Sequence, residues 1–273
     1  MMTISKHAWM VLVTVITYII MVATNALANI LPINGVNTGA VSERYSNLFA
    51  PAGITFTIWG LIYLLLLGHV IYQVVAIKTP DNYNKKMLYE IGILFSISSI
   101  TNTIWIFMWH YDHIGITLLL MLILLLTLIA IRIRIEKYTL NLTQKLWVRL
   151  PFSIYFGWIT VATIANVTTY LVSIQWMGFS LPESFWTNII LFVGGLIGII
   201  TLIRFRDMAY GFVIVWAYMG ILIKHLSPEG HKGDYLSVIV STIVVILMVV
   251  FAEYLVLCYK LEKKRHHNQA KIG

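Results

Sequence analysis

Residues 88–109 read LYEIGILFSISSITNTIWIFMW, a mostly apolar stretch that ends in a group of polar and aromatic side chains. A helix that crosses a bilayer needs about 20 predominantly apolar residues, and this stretch is long enough. Asn102, Trp105 and Trp109 follow one another at positions i, i+3 and i+7, so a helix brings them to one face. The stretch therefore predicts a membrane-spanning helix with a polar and aromatic face.

The rest of the chain repeats this apolar character. Charged residues make up 11% of the 273 residues, whereas soluble globular proteins carry about 25%. We predict an all-α integral membrane protein with about eight transmembrane helices and no sizeable soluble domain. The candidate spans are 8–28, 52–76, 88–109, 114–134, 148–172, 187–203, 208–226 and 236–258.

Basic residues are distributed unevenly over the predicted loops. Sixteen of the 19 Lys and Arg residues fall on the side of the N-terminus, and such residues concentrate in cytoplasmic loops. We therefore expect a multi-pass protein of the cell membrane with both termini, and a basic tail at 261–273, in the cytoplasm. The basic residues behind the net charge of +8 lie mostly in these loops on one side of the membrane, so we expect no nucleic-acid partner. The first apolar run is longer than a signal-peptide core of about 7–15 residues, so we expect it to be retained.

The longest predicted connection lies at 29–50, between the first two spans. It contains Asn-Gly and Thr-Gly pairs, which are turn chemistry, and long loops are often lids. We interpret it as an external loop or lid.

The end of the third predicted span contains residue types that bind metal ions: His110, Asp112 and His113. Three close residues without a further ligand favour a solvated loop, so we assign no metal.

Three predicted helices carry a stripe of aromatic and polar side chains on one face. The stripes are Phe56, Trp59 and Tyr63; Asn102, Trp105 and Trp109; and Tyr155, Trp158 and Asn166. A rise of about 1.5 Å per residue places one member of each stripe, Trp59, Asn102 and Asn166, roughly 10 Å from a helix end.

Two interpretations of the stripes stay open. The two amides could be interhelical links, worth about 0.6–2 kcal/mol each. Alternatively, rings and amides could line a pocket for a large aromatic ligand. Trp109 could also belong to the aromatic belt at the membrane surface. Elsewhere, His69 and Gln73 are predicted to hydrogen-bond between helices.

Three short motifs stand at the stripe positions: WGLIY at 59–63, NTIW at 102–105 and YFGWITVATIAN at 155–166. They resemble the TspO/MBR family, the tryptophan-rich sensory proteins that include the mitochondrial translocator protein. The order of the motifs and their helix numbers agree with the family, and the longer first loop looks like a longer bacterial branch. Two family positions differ, since Ile154 stands where proline is frequent and Ile54 where tryptophan is usual.

The resemblance covers roughly residues 8–175. It implies a five-helix bundle, residues 1–175, with a pocket beneath the 29–50 loop that binds porphyrins or other flat hydrophobic molecules. Residues 176–260 then form three additional transmembrane helices, which lie outside the resemblance. The implied pocket residues are Phe56, Trp59, Tyr63, Asn102, Trp105, Trp109, Tyr155, Trp158 and Asn166.

The first functional hypothesis is a membrane sensor or carrier, with a porphyrin or haem as ligand and no certain cofactor. The alternatives are a permease for a hydrophobic solute and an enzyme that modifies a bound porphyrin. We assign no catalytic residue and favour a non-enzyme. No predicted span has a charged residue deep inside it, since the nearest ones lie near helix ends (Glu90, Arg132 and Glu253). This absence argues against a proton-coupled transporter. The expected partners are the bilayer and a small hydrophobic ligand, with a homodimer as an open alternative.

Overall fold

The computed structural model describes residues 4–31, 33–78 and 82–269, and all regular structure within these ranges is helical. Eight of its helices are long and apolar enough to cross a membrane. They are α1 (Ile4–Ile30), α2 (Ile58–Ala76), α3 (Asn82–His110), α4 (Ile114–Glu136), α5 (Leu142–Ser173), α6 (Glu183–Phe205), α7 (Met208–Leu226) and α8 (Leu236–Gln269). The prediction of an all-α multi-pass membrane protein is confirmed.

Three helices extend by six residues or more beyond one end of their predicted spans. Helix α3 begins at Asn82, α5 begins at Leu142, and α8 continues to Gln269. The added segments contain no Pro or Gly and are rich in Lys, Leu, Gln and Glu, which are good helix formers. The helices therefore persist after the hydropathy falls, and the basic residues that follow position 260 continue α8.

The chain divides into two compact units. Unit 1 comprises Met1–Asn47 and Phe56–Trp176, so it contains α1 to α5. Unit 2 comprises Leu48–Thr55 and Met177–Gly273, so it contains α6 to α8. The segment Leu48–Thr55 thus groups with helices that are far from it in sequence, which no hydropathy pattern predicts.

In unit 1, α3 packs against α1 and α4, and α5 packs against α2 and α4. A capping box starts α5: the side chains of Asn141 and Gln144 each accept a hydrogen bond from the other residue's backbone N–H at 2.9 Å. A π-helical turn, Lys145–Arg149, follows the box. The turn brings the Trp147 side chain so close to α2 that a Cβ on Gly68 would collide with its ring. The start of α5 is thereby fixed against α2.

In unit 2, α8 packs against both α6 and α7. Small residues allow the close approach, since a Cβ on Gly195 would collide with Val245. Asp207 is the N-cap of helix α7, and its Oδ1 accepts a hydrogen bond from the Tyr210 N–H at 3.4 Å. Unit 2 is therefore a group of packed and capped helices and not a separate soluble domain.

Candidate functional site

Aromatic side chains surround Trp59 in unit 1. Trp59 stacks on Tyr63, one turn further along α2, with ring centroids 5.4 Å apart and an interplanar angle of 20°. Tyr155 and Trp158 on α5 pack edge-to-face against Trp59, at 5.9 and 6.2 Å. Phe56 packs edge-to-face against Trp158 at 5.7 Å. The structure therefore brings five of the predicted site residues together, and we call these five the Trp59 cluster.

Two polar atoms of the Trp59 cluster are buried without a hydrogen-bond partner: the Tyr63 hydroxyl and Trp158 Nε1. Trp158 is 3% exposed, and its indole N–H can only donate. Leaving a buried donor unpaired costs about 1–3 kcal/mol, and most such groups in proteins are paired. The cluster thus presents two donors to any acceptor that lies against its rings.

Asn102 joins three helices. Its Oδ1 accepts a hydrogen bond from Asn25 Nδ2 on α1 at 2.7 Å, and its Nδ2 donates to the Tyr155 hydroxyl at 3.5 Å. Asn25 Nδ2 also donates to the Met21 carbonyl at 2.9 Å. These contacts are those of an interhelical link, one of the two roles that the sequence leaves open for Asn102.

Trp105, Trp109 and Asn166 form a second group. Trp105 stacks on Trp109 with ring centroids 5.2 Å apart, and its Nε1 donates to Asn166 Oδ1 at 3.5 Å. Asn166 Nδ2 donates to the Ala162 carbonyl at 3.3 Å. Trp109 Nε1 donates to the Thr38 carbonyl at 3.1 Å, and the side chain is 4% exposed. Trp109 therefore lies beneath the first loop and not in a lipid-facing belt.

The first loop is held against the end of α3. It contains a short helix, Thr38–Arg44. Before this helix, Asn34 Nδ2 donates to the His110 carbonyl at 2.9 Å. At its end, Arg44 forms an ion pair with Asp112. The loop is thus attached to the end of α3 on both sides of its short helix.

The HYDH stretch at 110–113 anchors the loop. The prediction of a solvated loop is wrong for His110, which is fully buried with Nδ1 2.7 Å from the Ile106 carbonyl. Asp112 and His113 are exposed. Burial and the nearby Asp112 carboxylate raise the pKa of Tyr45. Among the described residues, no group of three or more His, Cys, Asp or Glu side chains could hold a metal ion.

His69 links α2 to the start of α5. Its Nδ1 lies 2.8 Å from the Trp147 carbonyl oxygen, and its Nε2 lies 2.8 Å from Gln73 Nε2. A carbonyl only accepts, so Nδ1 carries the proton and Nε2 accepts from Gln73. The fully buried ring packs edge-to-face with Phe95 and Phe152. His69 is therefore the interhelical link that the sequence predicts, whereas Gln73 bonds within α2.

Two of the three ionisable side chains that the sequence places near helix ends, Arg132 and Glu253, are buried. Arg132 is 1% exposed and forms an ion pair with Glu136 at 2.6 Å. Glu253 is 6% exposed, and neither of its carboxylate oxygens has a hydrogen-bond partner. Its carboxylate occupies the space that a Cβ on Gly211 would need. The spans therefore do contain buried ionisable groups.

The sequence stripes do not include the contribution of α1. Asn25 is the partner of Asn102, and the Tyr18 hydroxyl donates to the Tyr63 carbonyl at 2.9 Å. Both are polar residues in an otherwise apolar span, where an unpaired amide is costly. Polar residues in a span are therefore expected to hydrogen-bond to other helices, although the sequence does not identify the partner residues.

Comparison with known proteins identifies a related family. A family model described as TSPO-like protein matches residues 10–256. The match includes α6, α7 and most of α8, so the family likeness extends beyond residues 8–175, to which the sequence resemblance is limited. No curated protein and no solved structure matches the chain.

Proposed function

The chain belongs to the TSPO-like protein family, and on that premise we propose that it is a membrane sensor or carrier whose Trp59 cluster binds a porphyrin-like or other flat hydrophobic ligand. The family and the eight apolar helices make it a multi-pass membrane protein. The bias of basic residues supports a cell-membrane location with both termini in the cytoplasm.

One observation carries the proposed ligand site: the Tyr63 hydroxyl and Trp158 Nε1 are buried and unpartnered beside the ring of Trp59. Interhelical packing alone gives no reason to leave two donors unpaired in a membrane interior. A ligand that carries acceptor atoms removes this cost on binding.

The geometry also limits the chemistry of the ligand. Stacked and edge-to-face rings favour a flat aromatic molecule, because offset aromatic contacts contribute about 0.5–1.5 kcal/mol each beyond the buried area. The two donors favour oxygen or nitrogen acceptors on that molecule. A porphyrin combines a large flat face with such acceptors. The first loop, attached to the end of α3 through Asn34 and Arg44, would then control ligand exchange.

Removing either donor tests this assignment. We expect Tyr63→Phe and Trp158→Phe each to weaken protoporphyrin binding by about five- to tenfold, because each variant loses one hydrogen bond worth about 1 kcal/mol and keeps an aromatic ring at that position. Binding is measured by titrating the purified protein in nanodiscs and following the absorption band of the porphyrin.

The control is Trp9→Phe, since Trp9 is 67% exposed on α1 and belongs to neither aromatic group. This control should bind protoporphyrin with wild-type affinity. Equal affinities in all four proteins would show that the two donors face no ligand, and the Trp59 cluster would then be helix packing.

A proton-coupled permease for a hydrophobic solute is the second candidate, favoured by Glu253. Buried ionisable side chains in spanning helices are costly and commonly mark transport or proton pathways. Glu253 is buried in α8, with neither carboxylate oxygen hydrogen-bonded. Unit 2 would then supply the coupling group and unit 1 the ligand site.

Flux measurements distinguish a permease from a static binder. If the protein is a permease, proteoliposomes should take up protoporphyrin in response to a pH gradient, and Glu253→Gln should lose most of this flux because its amide does not titrate. Binding at the Trp59 cluster should be unchanged in this variant. Absence of flux in the wild-type protein would reject the permease and leave the binding proposal intact.

A further inference from the structure

Unit 2 binds the chain segment that connects the first loop to α2. We call this segment, Leu48–Thr55, the strap. Both backbone polar groups of Leu48 are occupied: its N–H donates to Glu183 Oε1 at 2.8 Å, and its carbonyl accepts from His225 Nε2 at 2.9 Å. Helices α6 and α7 therefore hold the start of the strap through one side chain each.

The other end of the strap is attached to α7. The Ala52 N–H donates to the Gly220 carbonyl at 3.0 Å, and Trp216 Nε1 donates to the Thr55 carbonyl at 3.0 Å. The Thr55 side chain fills the space that a Cβ on Gly220 would occupy. The strap thus lies directly against the α7 backbone, and its hydrogen bond with His225 is one of several contacts that hold it there.

His225 is fully buried, and it faces a second histidine. Because Nε2 donates to the Leu48 carbonyl, Nδ1 of neutral His225 is an acceptor, and it has no partner. The His231 ring lies 4.6 Å away between centroids, and its Nε2 is also buried without a partner. Tyr235 packs edge-to-face against both rings. Two unpaired imidazole nitrogens are therefore enclosed beside the strap.

The turn between α7 and α8 fixes this arrangement. The His231 N–H donates to the Lys224 carbonyl at 3.0 Å, and the Gly233 N–H donates to the His225 carbonyl at 2.9 Å. A Cβ on Gly230 would collide with the Lys224 carbonyl, so the turn needs glycine there. These bonds cap the end of α7 and hold the backbone of His231 close to that of His225.

The charges around the pair act in both directions. Glu183 on α6 and Asp234 in the turn favour a protonated histidine, and so does the C-terminal end of α7. Burial, the neighbouring His225 ring and Lys224 oppose a proton on His231, and together they lower the pKa of His231. At His231 these effects outweigh the Asp234 carboxylate, so His231 loses its proton more readily here than in water.

We propose that His225 and His231 form a pH-sensitive latch that holds the strap when both rings are neutral and releases it when His231 takes a proton from solvent. An added proton has no acceptor inside the pair, and it faces a second imidazole and Lys224. The released state exposes the rings, where histidine titrates near pH 6.5. The closed latch is therefore intact above about pH 6.5 and weakens as the pH falls below that value.

The latch regulates the ligand site, so this role rests on the proposed function. On one side, the strap continues into Asn47, whose Oδ1 accepts from Thr168 Oγ1 on α5 at 3.3 Å. On the other side, it continues into Phe56, which packs against Trp158 in the Trp59 cluster. Release of the strap frees the chain on both sides of it, and we expect ligand affinity to fall with it.

Hydrogen exchange of the ligand-free protein in nanodiscs tests the latch directly. After correction for the intrinsic exchange rate, we expect the Leu48 and Ala52 amides to lose protection several-fold between about pH 7.5 and about pH 5.5, because His231 takes up a proton more readily in the released state than in the closed state. Mass spectrometry of peptides that cover the strap measures this change.

Three variants make the measurement decisive. His231→Phe keeps a ring beside His225 but cannot titrate, so its strap should stay protected at both pH values. Glu183→Gln removes the charged acceptor of the Leu48 N–H, so exchange should rise at both. His113→Gln removes an exposed histidine elsewhere and should behave as wild type. A wild-type strap indifferent to pH, or a His231→Phe strap that opens on acidification, would overturn the proposal, and so would loss of the pH response in His113→Gln.

A second titration separates the latch from the ligand site. Protoporphyrin affinity should fall at acidic pH in the wild-type protein and be less pH-dependent in His231→Phe. If the strap opens while both proteins bind equally at each pH, regulation of the site is rejected. If no protoporphyrin binds at any pH, the proposed function fails, whereas the exchange data still decide whether the latch exists.

Discussion

Replacing Trp59 by alanine is expected to weaken protoporphyrin binding by about a hundredfold, which corresponds to about 2.7 kcal/mol. Trp59 contacts the rings of Tyr63, Tyr155 and Trp158, so it lies at the centre of its cluster. Truncation removes the stacking face and leaves a cavity beside its three neighbours, an effect larger than the loss of a single hydrogen bond. An absorption titration in nanodiscs measures the dissociation constant.

Two comparisons show whether the loss is specific to the stacking face. Trp59→Phe keeps an aromatic ring and should retain most of the affinity, whereas Trp9→Ala should bind as wild type. Thermal unfolding of each variant, followed by circular dichroism, checks that the helices persist. A Trp59→Ala protein that stays folded and binds with full affinity would exclude the Trp59 cluster as the ligand site.

Replacing His69 by leucine is expected to lower the free energy of unfolding by about 3 kcal/mol. The change removes the partner of two groups: the Trp147 carbonyl and the buried Gln73 side-chain amide. Single interhelical hydrogen bonds in membranes average only about 0.6 kcal/mol, because a freed group usually finds another partner. His69 is fully buried between aromatic rings, so we expect little such relief. Reversible unfolding in mixed micelles measures the change.

A double-mutant cycle with Gln73→Leu identifies the source of this loss. Gln73→Leu alone removes a bond within α2 and should cost about 1 kcal/mol. The double variant leaves only the Trp147 carbonyl unpaired, so it should be less destabilised than the sum of the single changes. If His69→Leu is no more destabilised than Gln73→Leu, the link between α2 and α5 contributes little to stability.

The number and type of the elements follow from local patterns. Each spanning helix needs a run of about 20 apolar residues, and such runs are visible without any tertiary information. The helix ends are less predictable, since α3, α5 and α8 all continue into polar segments. There, helix propensity and the capping box at Asn141 act where hydropathy gives no signal.

The predicted site residues are recovered in part by spacing alone. The Trp59–Tyr63 and Trp105–Trp109 stacks join residues one turn apart, so the helical period predicts them. Spacing does not show that Asn102 pairs with Asn25 on another helix. It also does not separate the paired amides from the unpaired Tyr63 hydroxyl. Those distinctions depend on how each helix is rotated about its axis.

The amino-acid sequence is sufficient to predict eight membrane helices and their aromatic stripes, because both are properties of short segments. The pairing of helices, the attachment of the strap to unit 2 and the contact between His225 and His231 depend on three-dimensional packing. Lipid is as apolar as the helix surfaces, so hydrophobicity does not select which helices meet. Close packing and hydrogen bonds between residues that are distant in sequence make that selection.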